Sequence, residues 1–380
     1  MAYPLPPFLY TEPPIPLHDC FPMRYPAASL PRNIRSLDRE ELETWLQEHG
    51  YPSWRATQIL EWLWGHQATS FEVMTNLPLT LRQKLQEQFV IHNLRIEKTV
   101  RSADGTVKAA YRLYDGKTIE GVLIPTPRRI TACISSQAGC SLNCTFCATA
   151  RLKMARNLGA DEIFDQVALA RQQAMEIYGR PLTNVVFMGM GEPLLNYRNV
   201  VRALELLHAR FGLAMGAHRF TVSTAGIAKM IVRMADDHLP CKLALSLHAA
   251  IDEKRSALMP INQSNPLKEL KEALQYYTAR TRKVVTLEYL LLEGVNDSQA
   301  DATALVRFAR KFPSKVNLIE YNPVEGLPFR GSPPLRVNWF QAYLKEHGIV
   351  ATLRRSRGRD IEAACGQLAG TLLQTTRTTE

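Results

Sequence analysis

The 380-residue sequence has no stretch of about 18 uncharged apolar residues, the length that a transmembrane helix needs. Its first 34 residues hold nine of the 23 prolines, which interrupts the apolar core of a secretory signal peptide. Cysteine is scarce, and its count of seven is odd. Without a secretory signal, that count argues against a disulfide scaffold and favours metal binding or catalysis in a reducing cytosol. We therefore expect a cytoplasmic protein with no membrane partner.

The composition also lacks the features of disordered or repetitive proteins. Hydrophobic residues make up 46% of the chain and charged residues 22%, which is ordinary for a globular protein. No tandem repeat, heptad pattern or spare apolar helix is apparent, so we expect a monomer. Positive charge is in excess, because 46 Lys and Arg against 36 Asp and Glu give a net charge of +10. This surplus favours a polyanionic partner.

The N-terminal quarter of the chain divides into two parts of different character. Residues 1–34 are rich in proline and predict an extended arm. Residues 35–95 predict a small helical accessory domain, whose first helix begins with Asp38 and Glu41 at the spacing of a capping box. Four tryptophans in it form a core or, alternatively, dock nucleic acid: Trp45, Trp54, Trp62 and Trp64.

The segment 96–128 contains two turn signals, Asp104-Gly105 and Asp115-Gly116, between strand-like runs. It predicts a β-hairpin linker. Glu120 lies among apolar residues in the run 118–125, and its simplest interpretation from the run alone is an exposed strand residue.

From residue 129 to residue 356, short apolar strands alternate with helical stretches, which predicts a parallel sheet with crossover helices. Six or seven such units favour a barrel, closed or partial, over a doubly wound sheet. The expected fold class is α/β, a partial (β/α)6-type barrel behind a small N-terminal helical domain, with 357–380 as a C-terminal segment. The predicted strands are 131–136, 184–189, 220–224, 242–247, 284–292, 316–321 and 350–355.

Chemically distinctive residues fall at the carboxyl ends of these strands, where β/α barrels gather their active-site residues. The cysteine loop 140–147 follows the first strand, and the Gly-Met-Gly-Glu-Pro segment 189–193 ends the second. Ser223, the Ser-Leu-His segment 246–248 and Asn322 end three further strands. Together these residues define one candidate functional face.

Cys140-x3-Cys144-x2-Cys147 places three thiols on one loop, which can hold a metal centre. Structural zinc needs four ligands, and only a distant residue could supply the fourth. A four-iron cluster accepts three cysteines and leaves one iron open for reaction. The pattern, with Phe146 before the last cysteine, resembles that of the radical S-adenosylmethionine (SAM) family.

In that family the open iron binds SAM, and an electron from the [4Fe-4S] cluster cleaves it to a 5′-deoxyadenosyl radical. Segment 189–193 resembles the family's glycine-rich strand end, which contacts the methionine part of SAM. The resemblance implies a [4Fe-4S] cluster and SAM as cofactors, and an electron donor such as flavodoxin or ferredoxin.

Longer stretches are similar to the RlmN family of RNA adenine carbon-2 methyltransferases, from about residue 36 to about residue 375. This resemblance implies methylation of carbon 2 of adenine in 23S rRNA and in tRNA beside the anticodon, with two SAM per turnover. A sister group methylates carbon 8 and confers antibiotic resistance, but the ending of this chain is more similar to the carbon-2 group. The similar stretches are 133–150, 184–196, 222–227, 243–249 and 357–370.

The resemblance also implies a role for each matching residue. The cluster ligands would be Cys140, Cys144 and Cys147. The residues around SAM would be Gly191, Glu192, Ser223, Ser246, Leu247, His248 and Asn322. Cys365 would carry the methyl group as S-methylcysteine, Cys133 would resolve the covalent intermediate, and Glu120 would accept a proton.

These roles agree with the chemistry of the target atom. Carbon 2 of adenine lies between two ring nitrogens and is too electron-poor to attack an electrophilic methyl group. A methylene radical made from methylated Cys365 can add to it, after which a base removes the ring proton and a second thiol releases the product. Cys365 and Cys133 supply the two cysteines that this route needs outside the cluster. Cys20 and Cys241 match no motif and are interpreted as structural.

Other features leave alternatives open. The arginines near Cys365 are a solvated surface or a set of phosphate contacts: Arg354, Arg355, Arg357 and Arg359. The stretch 148–158 lacks the glycines that the family more often has there. The rival functions are a radical enzyme with a protein or small-molecule substrate and a zinc-stabilised RNA-binding module.

Overall fold

The computed structural model describes residues 31–369. The proline-rich arm up to residue 30, with Cys20, and the end of the predicted C-terminal segment from residue 370 lie outside the described residues. Among residues 31–369 we find no helix with the length and apolar character needed to cross a membrane.

Three helices follow the first short strand: α1 (Arg39–Glu48), α2 (Arg55–Leu60), which continues as a π turn, and α3 (Leu79–Gln88). The predicted capping box is present, because the Glu41 amide donates to Asp38 and the Asp38 amide donates to Glu41, both over 2.8 Å. Trp64 is fully buried among these helices, whereas Trp54 is 56% exposed.

The helical segment packs on the rest of the chain through a buried ion pair. The Arg35 guanidinium donates to both carboxylate oxygens of Asp165, over 2.8 and 2.6 Å. The same guanidinium stacks over the Trp64 ring at 4.4 Å, and the Trp64 ring meets Phe164 edge-on at 5.1 Å. Phe164 and Asp165 belong to α4 (Ala160–Tyr178), so polar and apolar contacts fix the same junction.

Ten of the strands form one sheet in the order β14-β13-β12-β11-β10-β9-β6-β5-β4-β3. Strand β6 and the six strands on its β9 side are parallel, and β3 to β5 extend the other edge antiparallel. The segment predicted as a hairpin linker therefore forms three strands that belong to the main sheet. The strands are β1 (Arg32–Asn33), β2 (Phe89–Val90), β3 (Arg95–Arg101), β4 (Val107–Arg112), β5 (Thr118–Pro125), β6 (Ile130–Cys133), β7 (Gln137–Ala138), β8 (Arg156–Asn157), β9 (Asn184–Phe187), β10 (Phe220–Thr224), β11 (Lys242–Ser246), β12 (Val285–Leu291), β13 (Ser314–Glu320) and β14 (Ala351–Arg354).

Every connection between consecutive parallel strands contains at least one helix, as the alternation predicts. Helix α4 joins β6 to β9, and the helices that follow join the remaining strands in turn. Their apolar faces pack against the buried strands and complete the core. These helices are α5 (Tyr197–His208), α6 (Ala228–Asp236), α7 (Asp252–Leu258), α8 (Leu267–Thr281), α9 (Gln299–Ala309) and α10 (Pro334–Glu346).

The sheet is strongly curved. Strands β9 and β14 are five positions apart in the sheet, which would be roughly 24 Å in a flat one at about 4.8 Å per strand. Yet Nη1 of Arg354, at the end of β14, lies 3.7 Å from Sδ of Met188, just beyond β9. One arginine side chain can bridge this distance only because the sheet curls around its carboxyl-end mouth. Strands β14 and β3 remain edges, so the predicted partial barrel is confirmed.

Candidate functional site

The cysteine loop opens into a cavity at the carboxyl ends of the parallel strands. Cys140, Cys144 and Cys147 are half-buried and line this cavity together. The loop is tied on two sides, since the Thr145 amide donates to the Leu258 carbonyl over 3.0 Å and the Ala148 amide to the Gly366 carbonyl over 2.8 Å. The facing wall includes Gly191, Glu192, Ser223, Ser246 and His248.

The three thiols form one electrostatic group that suits an iron–sulfur cluster. Burial raises the pKa of Cys140 to about 11, and the neighbouring Cys147 contributes in the same direction. Burial also raises the pKa of Cys144, with Cys147 and Cys140 as further causes. Thiolates that repel one another in a buried site would need cationic metal to balance their charge. The donor set therefore fits a cluster with three cysteine ligands.

Gly191 and Glu192 shape the cavity wall after β9. Gly191 has φ +95°, and a Cβ added there would lie 2.4 Å from Cβ of Gln137, so only glycine allows this close approach. The Glu192 carboxylate accepts the Leu194 amide over 3.0 Å and the Ala225 amide over 2.7 Å. Burial raises its pKa. Glu192 thus ties the end of β9 to the end of β10.

Ser223, Ser246 and His248 lie on neighbouring strand ends. The hydroxyl oxygens of Ser223 and Ser246 are 3.3 Å apart. The Leu290 amide donates to Nδ1 of His248 over 3.1 Å, so Nδ1 is the acceptor and the ring proton is on Nε2. Burial and the nearby Arg255 lower the pKa of His248 to about 3, which keeps the ring neutral.

Two predicted SAM residues are placed differently from the others. The Leu247 side chain is buried in the main apolar core rather than in the cavity wall. The Asn322 amide donates to the Cys365 carbonyl over 3.4 Å and accepts from Arg359 over 3.1 Å. Asn322 therefore holds the C-terminal segment against the mouth of the barrel.

Cys133 and Glu120 come together on neighbouring strands. Cys133 on β6 pairs with Val122 on β5, and Glu120, two residues before Val122, lies on the same face of the sheet. Glu120 is fully buried, unlike the exposed strand residue that its run alone suggested, and pairs with buried Lys108 at 3.2 Å. The Ala369 amide donates to Glu120 over 3.2 Å, which brings the C-terminal segment to the same place.

Cys365 lines the cavity close to Cys133. Burial, together with the neighbouring Cys365, raises the pKa of the Cys133 thiol to about 12, while Arg354 acts in the opposite direction. The charge of Cys365 raises the pKa of Arg354, with Glu288 and Cys133 as lesser contributors. The structure thus places Cys365 and Arg354 in the cavity wall, with Cys133 buried beside them.

The sequence did not single out Glu288, which lies in the cavity wall on β12. It is 4% exposed, accepts the Asn317 amide over 3.0 Å, and burial raises its pKa. The sequence signal for Glu288 is a single glutamate in a mostly apolar strand, which is also the signal for Glu120.

The arginines of the basic run near Cys365 differ in their surroundings. Arg354 faces the cavity, whereas Arg359 is exposed and pairs with Glu320 at 2.6 Å.

The glycine-poor stretch after the cluster is ordered by its neighbours. Strand β8 pairs with β7, and the Ala155 amide donates to the Ala138 carbonyl over 2.7 Å. Arg156 forms ion pairs with Glu162 at 2.7 Å and Asp115 at 2.8 Å. These contacts hold the loop without the glycines found in the family.

Comparison with known proteins agrees with this geometry. The Radical SAM superfamily model matches residues 134–306, and the ribosomal RNA large subunit methyltransferase N-terminal domain model matches residues 32–91. A Christiangramia forsetii protein, named as a probable dual-specificity RNA methyltransferase RlmN, is 49% identical over 338 residues, which are 89% of this chain and 96% of that protein.

Two further relatives extend the comparison. The dual-specificity RNA methyltransferase RlmN of Anaeromyxobacter sp. is 45% identical over 341 residues, covering 89% of this chain and 90% of that protein. The solved structure of a radical SAM methyltransferase from Sphaerobacter thermophilus has a TM-score of 0.83 and 44% identity, and covers 90% of this chain and 100% of that one.

Proposed function

The chain belongs to the RlmN family of radical SAM RNA methyltransferases, and we propose that it methylates carbon 2 of adenine in 23S rRNA and in tRNA. The observation that carries the proposal is that Cys365 lines the same cavity as the cluster cysteines and also neighbours the buried Cys133. A radical enzyme without a covalent thiol intermediate has no need of two further cysteines at that place.

The cofactors of the family are a [4Fe-4S] cluster and SAM. When bound, they supply the electron, the methyl group and the hydrogen-abstracting radical. Cys140, Cys144 and Cys147 would hold the cluster. The backbone at Gly191 and the polar groups of Ser223, Ser246 and His248 would hold SAM against it.

In the proposed reaction Cys365 receives a methyl group on Sγ, and the derived methylene group joins Sγ to carbon 2 of the adenine. Glu120 then takes the proton that leaves the ring carbon. The one electron left over from the radical addition would return to the cluster. The thiolate of Cys133 then attacks Sγ of Cys365, a disulfide forms, and the bond from Sγ to the methylene carbon breaks with its electron pair on that carbon. The carbon takes up a proton and becomes the methyl group of the released base. The Lys108 ion pair and the Ala369 amide keep the Glu120 carboxylate oriented toward the C-terminal segment.

Several assignments extend this proposal. We assign the division of the chain as residues 1–34, 35–95, 96–128, 129–356 and 357–380, with the second part as an RNA-binding accessory domain. We further propose a cytoplasmic monomer whose electron donor is a flavodoxin or a ferredoxin. The net charge of +10 supports a polyanionic substrate.

Nucleoside mass spectrometry tests the proposed function. The anaerobically reconstituted protein is incubated with SAM, a strong reductant and unmodified 23S rRNA or tRNA, and the digested RNA is compared with methyladenosine standards. We expect 2-methyladenosine from both RNAs and none from Cys365→Ala, because that variant has no thiol to carry the methyl group.

The product separates the alternatives. 8-Methyladenosine would place the chain in the carbon-8 group with the same chemistry. Formation of 5′-deoxyadenosine without RNA methylation would point to another substrate and overturn the RNA proposal. Methylation by Cys365→Ala would contradict the covalent mechanism.

A further inference from the structure

Arg255, on α7, is a fully buried arginine beside the cofactor cavity. Within residues 31–369, none of its hydrogen bonds goes to a carboxylate. Burial lowers its pKa to about 10, so the side chain remains a cation at neutral pH. A buried cation without a carboxylate partner is unfavourable unless another negative charge offsets it.

The cysteine loop lies directly against the helix of Arg255. The amide and the hydroxyl of Thr145 both donate to the carbonyl of Leu258, at the end of α7, over 3.0 and 3.3 Å. Cys144 packs in the same apolar cluster as Leu258 and Met259. A Cys144 thiolate and Arg255 attract each other across this contact. Asp252 also attracts Arg255, but more weakly than Cys144 does, and its carboxylate accepts from the Asn262 side chain and the Leu267 amide. The stronger negative partner of Arg255 is therefore on the cluster side of the cavity.

The same guanidinium joins two strand ends. Nη2 donates to the Ala225 carbonyl after β10 over 2.5 Å and to the Ser246 carbonyl at the end of β11 over 3.3 Å. Nε donates to the Leu247 carbonyl over 3.2 Å, and Nη1 to the Asn262 side chain over 2.7 Å. One buried guanidinium group thus donates hydrogen bonds to both strand ends that carry Ser223, Ser246 and His248.

We propose that Arg255 is the internal counter-ion of the iron–sulfur cluster and, through the same guanidinium, a positioning residue for the SAM-binding strand ends. A four-iron cluster on three thiolates is negatively charged, and one-electron reduction adds a further negative charge. A fixed cation nearby therefore stabilises the reduced cluster more than the oxidised one. This role concerns the cofactors and requires no RNA, so it can fail independently of the proposed RNA methylation.

Three variants of the reconstituted full chain separate the two effects. Arg255→Met removes the charge at similar length, whereas Arg255→Lys keeps the charge but cannot reach all four acceptors. Lys254→Met is the matched control, because Lys254 is the neighbouring cation on α7 and pairs with Asp301 at 2.7 Å. A redox titration followed by electron paramagnetic resonance measures the cluster potential without SAM. Equilibrium binding measures the Kd for SAM.

We expect Arg255→Met to lower the equilibrium constant for cluster reduction at least about tenfold, or about 59 mV for one electron, and to raise the Kd for SAM about tenfold. Arg255→Lys should raise that Kd similarly while keeping the potential, and Lys254→Met should change neither. A wild-type cluster potential in Arg255→Met would overturn the counter-ion role of Arg255. A wild-type Kd for SAM in Arg255→Lys would overturn its positioning role.

Iron content and circular dichroism establish that each variant is folded and loaded. If Arg255→Met takes up no iron, Arg255→Lys decides, since a tenfold fall in its reduction constant would contradict a role based on charge. Asn262→Ala then provides the second variant. It removes one acceptor and keeps the cation, so it should weaken SAM binding and leave the potential unchanged.

Discussion

Glu192 and Glu120 are both buried carboxylates near the mouth of the barrel, and their partners separate their tasks. Two backbone amides from successive strand ends donate to Glu192, which makes it a structural tie across the cavity wall. Glu120 pairs with the ammonium group of Lys108 and receives an amide of the C-terminal segment. The second environment places a carboxylate near Cys133 and the C-terminal segment, where the proposed reaction requires a proton acceptor.

The role of Cys133 can be tested by trapping the intermediate. Cys133→Ala should accumulate a covalent enzyme–RNA adduct and lower the yield of methylated RNA at least about a hundredfold, because no thiol remains to release the product. Labelled RNA on a denaturing gel measures the adduct. Cys241→Ala is the matched control, since Cys241 is equally buried and burial also raises its pKa to about 12. Normal turnover by Cys133→Ala would exclude it as the resolving thiol.

At the scale of elements, one buried ion pair lies at the centre of the junction between the N-terminal helices and α4. The Arg35 guanidinium lies between the Asp165 carboxylate and the Trp64 ring, and the Leu94 amide donates to the same carboxylate over 3.0 Å. Asp165 therefore satisfies two donors from the segment that precedes the barrel. Its loss would leave the buried Arg35 charge unpaired.

Asp165→Ala should destabilise the protein by about 3 to 5 kcal/mol, the cost of removing one partner from a buried ion pair. Urea unfolding followed by tryptophan fluorescence measures the change, because Trp64 lies at the junction. Glu43→Ala is the control. It removes an exposed pair with Arg39 in α1 and should cost less than about 1 kcal/mol. Equal stability losses in the two variants would show that the junction does not depend on this pair.

At the scale of the whole molecule, the curvature of the sheet determines which charges face a polyanionic substrate. Arg354 faces the cavity, and Arg359 is exposed but paired with Glu320. Arg355 is exposed and Arg357 is half-buried near the same mouth. The phosphate-contact interpretation of the basic run therefore narrows to Arg355 and Arg357.

The salt dependence of RNA binding tests whether Arg355 and Arg357 contact phosphates. The logarithm of the RNA binding constant should fall linearly with the logarithm of salt concentration, with a slope of about −0.7 per phosphate contact for single strands. The Arg355→Ala/Arg357→Ala double variant should reduce the slope by about 1.4, whereas Arg307→Ala, an exposed arginine on α9, should not change it. Filter binding over a salt series measures both. An unchanged slope in the double variant would remove these arginines from the RNA surface.

Much of the architecture could be predicted because it depends on local patterns. The predicted strand 220–224 coincides with β10, and the capping box at Asp38 is present. The same strand pattern could also have placed the Leu247 side chain in the core instead of among the predicted SAM residues. Side chains alternate along a strand, and Leu247 continues the period of Leu243 and Leu245, which are buried in the same apolar core.

The residues alone were enough to identify the family and its cofactors. They also predict the three cluster ligands, because close spacing of cysteines along a chain guarantees their proximity in any fold. They did not determine the burial of Glu120 and its pairing with Lys108, the place of Glu288, or the four acceptors of Arg255. These contacts join different strands and helices. Strand pairing and register bring Glu120 to Lys108 across β4 and β5, and Glu288 to Asn317 across β12 and β13. The curvature of the assembled sheet brings Arg354 to Met188, since no local spacing encodes the distance across the mouth of a partial barrel.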